Sequence, residues 1–132
     1  SSIKGLFIDI QNYSEAHLSE NFSAEEIQNT IYYIEKIQVF LNSKNIEFYV
    51  IIFPTRDQIE SNNLDLGIQG KLENSLTRKN INVINIDKNL VLISKEEGLD
   101  EIWLDNIHLK SKGNQIAASS IYTYLKEIKN QL

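Results

Sequence analysis

Three short apolar runs stand out in the pattern of hydrophobic and polar positions along the chain. They are IKGLFIDI (3–10), IEFYVIIF (46–53) and INVINI (81–86), and their β-branched and aromatic residues are typical of buried strands. The second run is almost entirely apolar, as in a parallel strand that is covered on both faces. Pro54 ends this run, because proline cannot donate to a sheet ladder. We therefore predict three strands.

The segments between and after these runs have the three- and four-residue apolar spacing of amphipathic helices. The clearest covers residues 23–45, where Ser23 and Glu26 form an S-x-x-E capping box ahead of an isoleucine-rich stripe. Further helices are predicted at 64–80, 87–98 and 113–132. Strands that alternate with helices indicate an α/β domain with a parallel sheet.

Loops at the carboxyl ends of such strands are where ligands usually bind in a parallel sheet. Here these loops are residues 11–22, 54–63 and 87–112. Any functional side chain is therefore expected in one of these three segments.

Composition narrows the class of protein. The chain has 132 residues, 42% of them hydrophobic, which predicts one domain, residues 1–132. No run approaches the roughly 18 apolar residues of a membrane span. The net charge is −5 and the basic residues are scattered, which argues against a nucleic-acid surface. The absence of cysteine excludes disulfides, thiolate metal sites and a cysteine nucleophile.

The stretch LDNIHLKSKGNQ (104–115) carries the strongest candidate chemistry. Its D-x-x-H spacing places Asp105 and His108 one tight turn apart, so that the carboxylate can hold one ring nitrogen while the other accepts a proton. Spacing alone favours a plainer alternative, an exposed histidine beside an aspartate that caps a turn. The wider sequence context changes this balance.

The longer pattern IWLDNIHLKSKGNQIAASSIYTYL resembles the last conserved block of the SGNH (GDSL) hydrolase and acyltransferase superfamily. In that block a D-x-x-H pair precedes a glycine-led C-terminal helix and supplies two members of a Ser-His-Asp triad. The resemblance implies that His108 is the general base and that Asp105 orients it. It also implies a three-layer, flavodoxin-like parallel sheet, incomplete at its N-terminus.

Two further segments are similar to this superfamily. IEFYVIIFPTRDQIE resembles the strand and its proline-containing exit in members related to alginate and cell-wall O-acetyl transfer. In LFIDIQNYSE, the resemblance implies that Asn12 donates its side-chain amide to an oxyanion hole. An asparagine after a strand is also a common turn residue, and this alternative stays open.

The chain departs from the family because it contains no G-D-S serine block, and only Gly5 precedes Asn12. It also begins Ser1-Ser2 and has no methionine, so we expect the C-terminal part of a larger SGNH-like domain. The serine is then upstream, in another chain, or lost. An apolar edge strand is seldom left unpaired, so strand 3–10 is expected to pair with a missing N-terminal segment, a partner chain or a symmetry copy.

The leading hypothesis is the C-terminal part of a serine esterase or O-acyltransferase that acts on ester-linked acyl groups. We expect the chain to be inactive alone, and no cofactor or metal is implied. One alternative is a non-catalytic binding or interaction module that holds a glycan or a protein at the same edge. Another is an unrelated α/β domain in which the D-x-x-H spacing is a coincidence.

Overall fold

The computed structural model describes residues 5–9, 24–62 and 68–131, and this part of the chain is mostly helical. Its elements in chain order are β1 (Gly5–Asp9), α1 (Ala24–Ser43), β2 (Glu47–Ile52), α2 (Arg56–Glu60), α3 (Ile68–Arg78), β3 (Asn82–Asn85), α4 (Asp87–Glu97), α5 (Leu99–Ile102) and α6 (Ser111–Asn130).

The strands form a small parallel sheet in the order β1-β2-β3. Phe7 of β1 is in register with Tyr49 of β2, and Val50 of β2 is in register with Val83 of β3. The spatial order of the strands follows the chain without a reversal. Right-handed crossovers then place the two connecting helices, α1 and α3, on the same face of the sheet.

The packing of β2 shows why its sequence is so uniformly apolar. One set of alternate side chains, including Phe48 and Val50, packs with residues of α1 and α3. The other set, Tyr49 and Ile51, packs with residues of the helices that follow β3. Both faces of this strand are therefore buried, and only Glu47 at its start is exposed.

The predicted three-layer, flavodoxin-like parallel sheet is wrong. The three strands contain only five, six and four residues, whereas α1 and α6 contain 20 residues each. A flavodoxin-like sheet also requires a reversal of strand order, which these strands lack. In addition, the predicted loop 54–63 contains the short helix α2, and the predicted loop 87–112 contains the short helix α5. The described chain is a predominantly helical structure around a small parallel sheet.

Gly113 has a different role from the one that the sequence predicted. The last helix begins at Ser111, so this glycine is the third residue of α6 and not the first, as predicted. A Cβ atom on Gly113 would lie 2.7 Å from the main-chain carbonyl oxygen of Ile102. The glycine is therefore required because α6 approaches the end of α5 closely.

Candidate functional site

The side chain of Asp105 organises the turn that contains it. Its Oδ1 atom accepts hydrogen bonds from the main-chain N–H groups of Ile107, at 2.9 Å, and His108, at 2.7 Å. An aspartate that bonds to the backbone two and three residues further on closes a local turn. The turn at residues 105–108, here called the D-x-x-H turn, is thus shaped by its own first residue.

The second oxygen of the same carboxylate holds the imidazole. Asp105 Oδ2 lies 2.7 Å from His108 Nδ1. An ionised carboxylate can only accept, so Nδ1 carries the proton and donates it, and in the neutral form of the ring Nε2 then has the free lone pair. Asp105 therefore caps the turn, as the plainer alternative predicts, and the same carboxylate also contacts the histidine ring.

These contacts lower the pKa of Asp105 to about 2. The largest cause is the hydrogen bond from the His108 ring, followed by those from the main-chain N–H groups of Ile107 and His108. Each contact favours the charged form of the carboxyl group. Asp105 is therefore a carboxylate throughout the neutral range, as the orienting group of a histidine base must be.

The D-x-x-H turn is closed at its base by backbone pairing. Trp103 and Leu109 form an antiparallel bridge, and the N–H of Leu104 donates to the carbonyl of His108 at 2.8 Å. The turn therefore has the form of a tight hairpin. Its ends are held together, and its tip carries the two candidate side chains.

Below the turn, Trp103 anchors the hairpin in the core. Its side chain is fully buried, and its Nε1 atom donates to Ser94 Oγ at 3.1 Å. The N–H of Lys110, at the other end of the hairpin, donates to the carbonyl of Ile102 at 2.8 Å. The tryptophan thus anchors the candidate site in the core.

Asn106 connects the D-x-x-H turn to the loop that follows β2. Its carbonyl oxygen accepts from the N–H of Arg56, and its Oδ1 atom accepts from the N–H of Asp57, both at 2.9 Å. Thr55 and Gln58 complete this helix start with a reciprocal capping box. The D-x-x-H turn is therefore fixed at the carboxyl end of β2, the part of a parallel sheet where ligands usually bind.

The electrostatic surroundings of the turn include an ion pair. Arg56 NH2 lies 2.7 Å from Asp100 Oδ1. The arginine side chain is 25% exposed and the aspartate side chain 86% exposed, so this pair lies at the surface. Lys110 Nζ also donates to the carbonyl oxygen of Asp100.

The Asp105–His108 pair itself is open to solvent. The side chains are 52% and 60% exposed, respectively. A general base must be reachable by the proton that it accepts, and this one is. Catalytic pairs also work better when water is excluded, so a catalytic role requires an additional surface over the turn.

Asn12, the predicted oxyanion donor, lies outside the described residues. The described residue closest to it in the sequence is Asp9 at the end of β1, which pairs in register with Ile51 of β2. The carboxyl ends of β1 and β2 are therefore adjacent. The structure brings together Asp105 and His108 of the three predicted site residues.

Sequence reasoning missed a second polar site, at the junction of β3 and α4. Asp87 Oδ1 is buried and has no hydrogen-bond partner among the described residues. Its pKa is raised to about 6, chiefly by burial, with a smaller contribution from the negative charge of Glu73, while a hydrogen bond with Asn85 opposes the shift. The signal in the sequence was an aspartate placed directly after the strand 81–86.

A crevice of about 720 Å³ opens beside this junction. Glu73 Oε2 accepts from Asn85 Nδ2 at 2.6 Å, and Asn85 Oδ1 accepts from the N–H of Asp87 at 2.9 Å. The chain of contacts joins α3, β3 and α4. We refer to Glu73, Asn85 and Asp87 together as the β3–α4 corner.

Among the residues that the structure describes, no three histidine, aspartate or glutamate side chains come together as a metal site would require. No helix in the described ranges is both long enough and apolar enough to cross a membrane. In comparisons with known proteins, no family model, no curated protein and no solved structure matches this chain.

Proposed function

We propose that this chain supplies the histidine and aspartate of a serine esterase or O-acyltransferase. The observation that carries the proposal is the 2.7 Å contact between His108 Nδ1 and Asp105 Oδ2, within a turn that Asp105 itself closes. This contact fixes the ring tautomer and directs the free Nε2 lone pair away from the carboxylate. These are the two tasks of the aspartate in a Ser-His-Asp triad.

In the proposed reaction, a serine Oγ attacks the carbonyl carbon of an ester while its proton passes to Nε2 of His108. The carbonyl π electrons move onto the oxygen, which becomes an oxyanion. When the oxyanion collapses, the bond to the leaving alkoxide breaks and the imidazolium protonates that oxygen. Water, or the hydroxyl of an acceptor such as a glycan, then attacks the acyl-serine by the same steps. No cofactor or metal takes part.

Asn12 is proposed as one donor to the oxyanion. Such a donor typically contributes about 3–4 kcal/mol to the stability of the transition state. It would be placed next to the D-x-x-H turn by the adjacency of β1 and β2 at their carboxyl ends. The proposed substrate is an ester-linked acyl group, and the proposed acceptor is water or a hydroxyl group such as that of a glycan.

The nucleophile is proposed to come from outside these residues, since the sequence contains no G-D-S block. Among the described strands, β1 pairs with β2 alone, so one side of β1 lacks a described neighbour. A further N-terminal segment or a partner chain would add a strand there. Its loop would meet the D-x-x-H turn at the carboxyl edge and cover the exposed pair.

Labelling with a fluorophosphonate tests the proposal. The chain is combined with the polypeptide encoded directly upstream, and the rate of serine labelling is measured. His108→Ala should lower that rate by about 10²–10⁴-fold, because the serine loses its general base. His17→Ala, which removes the other histidine, is the matched control and should not change the rate. Labelling that does not depend on His108 would refute the catalytic role.

A non-catalytic binding module is the second candidate. It is favoured by the exposure of both side chains and by the missing serine block. An NMR titration of the 132-residue chain with an O-acetylated oligosaccharide distinguishes the two. Saturable shifts at residues 105–108, together with no serine labelling of the combined protein, would support binding alone.

A further inference from the structure

Asn106, inside the D-x-x-H turn, makes the contacts that join this turn to a distant part of the chain. Two consecutive N–H groups, those of Arg56 and Asp57, donate to its carbonyl oxygen and to its side-chain Oδ1 atom. The side-chain bond joins residues 49 positions apart. Both donors belong to the first turn of α2, where main-chain N–H groups have no partner within the helix.

The two sets of hydrogen bonds in the turn point in different directions. Asp105 bonds inward, to the N–H groups of Ile107 and His108, and so determines the shape of the turn. Asn106 bonds outward, to α2, and so determines where the turn lies. The hairpin bridge between Trp103 and Leu109 joins the two ends of the turn to each other but not to α2. The bonds of Asn106 supply the connection to α2.

We propose that Asn106 is a positioning residue, which holds the Asp105–His108 pair against the carboxyl end of β2 by bonding to the start of α2. The positioning is a property of this chain alone. Its catalytic meaning rests on the proposed function, but its geometry is tested without any nucleophile.

Asparagine suits this place because its side-chain oxygen accepts the hydrogen bond from the N–H of Asp57. An aspartate would offer an equivalent oxygen to the N–H of Asp57, and a negative charge at a helix start is favourable. Alanine would remove the side-chain acceptor and leave the main-chain bond to Arg56. Asn106→Asp is therefore the conservative variant and Asn106→Ala the disruptive one.

NMR measurements on the 132-residue chain give the test. In Asn106→Ala, amide exchange of Asp57 should accelerate about tenfold or more, as expected when a protecting hydrogen bond is lost. The titration midpoint of the Asp105 carboxyl carbon should move upward from about 2, and ¹⁵N shifts should show less Nδ1–H tautomer at His108. Asn106→Asp should restore the exchange protection of Asp57. His17, the other histidine, is the internal reference.

A second pair of variants addresses the main-chain bond. Arg56→Pro removes the N–H that donates to the Asn106 carbonyl, and proline is tolerated at the first position of a helix after an extended cap such as Thr55. Arg56→Ala removes the same side chain but keeps the N–H. Only Arg56→Pro should change the Asp105 titration and the His108 tautomer.

Thr55→Ala is the control for a structural role, because it removes the capping side chain of α2 without touching the bonds of Asn106. It should lower stability and leave the Asp105 titration unchanged. If Asn106→Ala and Arg56→Pro also leave the Asp105 midpoint and the His108 tautomer at wild-type values, Asn106 does not position the pair. A failure of serine labelling would leave these NMR outcomes unaffected, so the two proposals fail separately.

In the combined, labelling-competent protein, Asn106→Ala should lower kcat by about tenfold with little change in KM. A misplacement of about 1 Å can cost up to about 10²-fold in rate, and one of the two bonds remains in this variant. A tenfold rise in KM with an unchanged kcat would contradict positioning of the histidine.

Discussion

Asp105 and Asp87 are two aspartates whose pKa values have moved in opposite directions. Asp105 lies at an exposed tip, where one N–H from the His108 ring and two from the backbone meet its oxygens, and its pKa falls to about 2. Asp87 lies in a partly buried corner where Oδ1 has no described partner, and its pKa rises to about 6. Hydrogen bonding determines the first value and burial the second.

The same residue type therefore behaves differently at the two sites. The surroundings of each aspartate, and not its residue type, determine the pH at which it is protonated. Asp105 is committed to being a carboxylate, so it can orient a base but cannot take up a proton near neutral pH. Asp87 changes protonation close to pH 6, beside Glu73 and in a crevice of about 720 Å³. At neutral pH the first site is a carboxylate, whereas the second takes up a proton as the pH falls through about 6.

The largest expected effect concerns the packing beneath the exposed site. Gly113→Ala places a Cβ atom 2.7 Å from the Ile102 carbonyl oxygen, so α6 or the end of α5 must shift. We expect a loss of about 1–3 kcal/mol in the free energy of unfolding, measured with urea. Ser119→Ala, at an exposed position of the same helix, should change it by less than about 0.5 kcal/mol. Equal effects of the two variants would show that the close approach is not required.

Asp87→Asn should have the next largest effect, and it should be stabilising. The folded pKa of about 6 exceeds the usual 3.8, so the folded state favours the protonated acid. Its stabilising contribution is complete below about pH 4 and is lost as the pH rises through 6. The neutral amide avoids that loss, so urea unfolding at pH 7 should show a gain of roughly 1–2 kcal/mol, discounted for partial exposure.

The effect of Asp87→Asn should largely disappear when unfolding is measured near pH 4. Glu96→Gln removes an exposed carboxylate from the same helix and is the matched control. If both variants stabilise the protein equally at pH 7, the gain reflects the net charge of the chain and not the burial of Asp87.

Some features of the fold and of the candidate site could be predicted from the sequence. The apolar runs predicted the positions of β1, β2 and β3, because β-branched residues at covered positions leave a local pattern. The D-x-x-H spacing brought Asp105 and His108 together, since a hydrogen-bonded turn depends on neighbours in the chain. Neither feature required knowledge of the tertiary structure.

The features that the sequence did not predict all depend on distant contacts. The flavodoxin-like sheet was wrong because the order of the strands in a sheet depends on tertiary packing and not on local pattern. The short helices α2 and α5 were missed because they lack a long apolar stripe. The bonds from Arg56 and Asp57 to Asn106 join residues about fifty positions apart in the chain, and the orphaned oxygen of Asp87 depends on burial. No local pattern encodes these contacts.

Asp105→Asn should change the acid stability of the protein. The folded pKa of about 2 lies below the usual 3.8, so the carboxylate contributes stability that is present above about pH 4 and is lost as the pH falls through 2. Urea unfolding, monitored by circular dichroism, should show that the free energy of unfolding declines less steeply between pH 4 and pH 2 in the variant. Parallel declines in the two proteins would mean that the contacts of Asp105 do not persist in solution.

The smallest expected effect is that of the ion pair beside the same turn. Arg56 and Asp100 lie 2.7 Å apart, but the aspartate side chain is 86% exposed, so water and salt screen the attraction. A double-mutant cycle with Arg56→Ala and Asp100→Ala should give a coupling of about 0–1 kcal/mol that decreases in high salt. A larger, salt-independent coupling would show that the protein shields this ion pair from solvent. The contrast between the exposed Asp105 site and the partly buried β3–α4 corner would then be weaker.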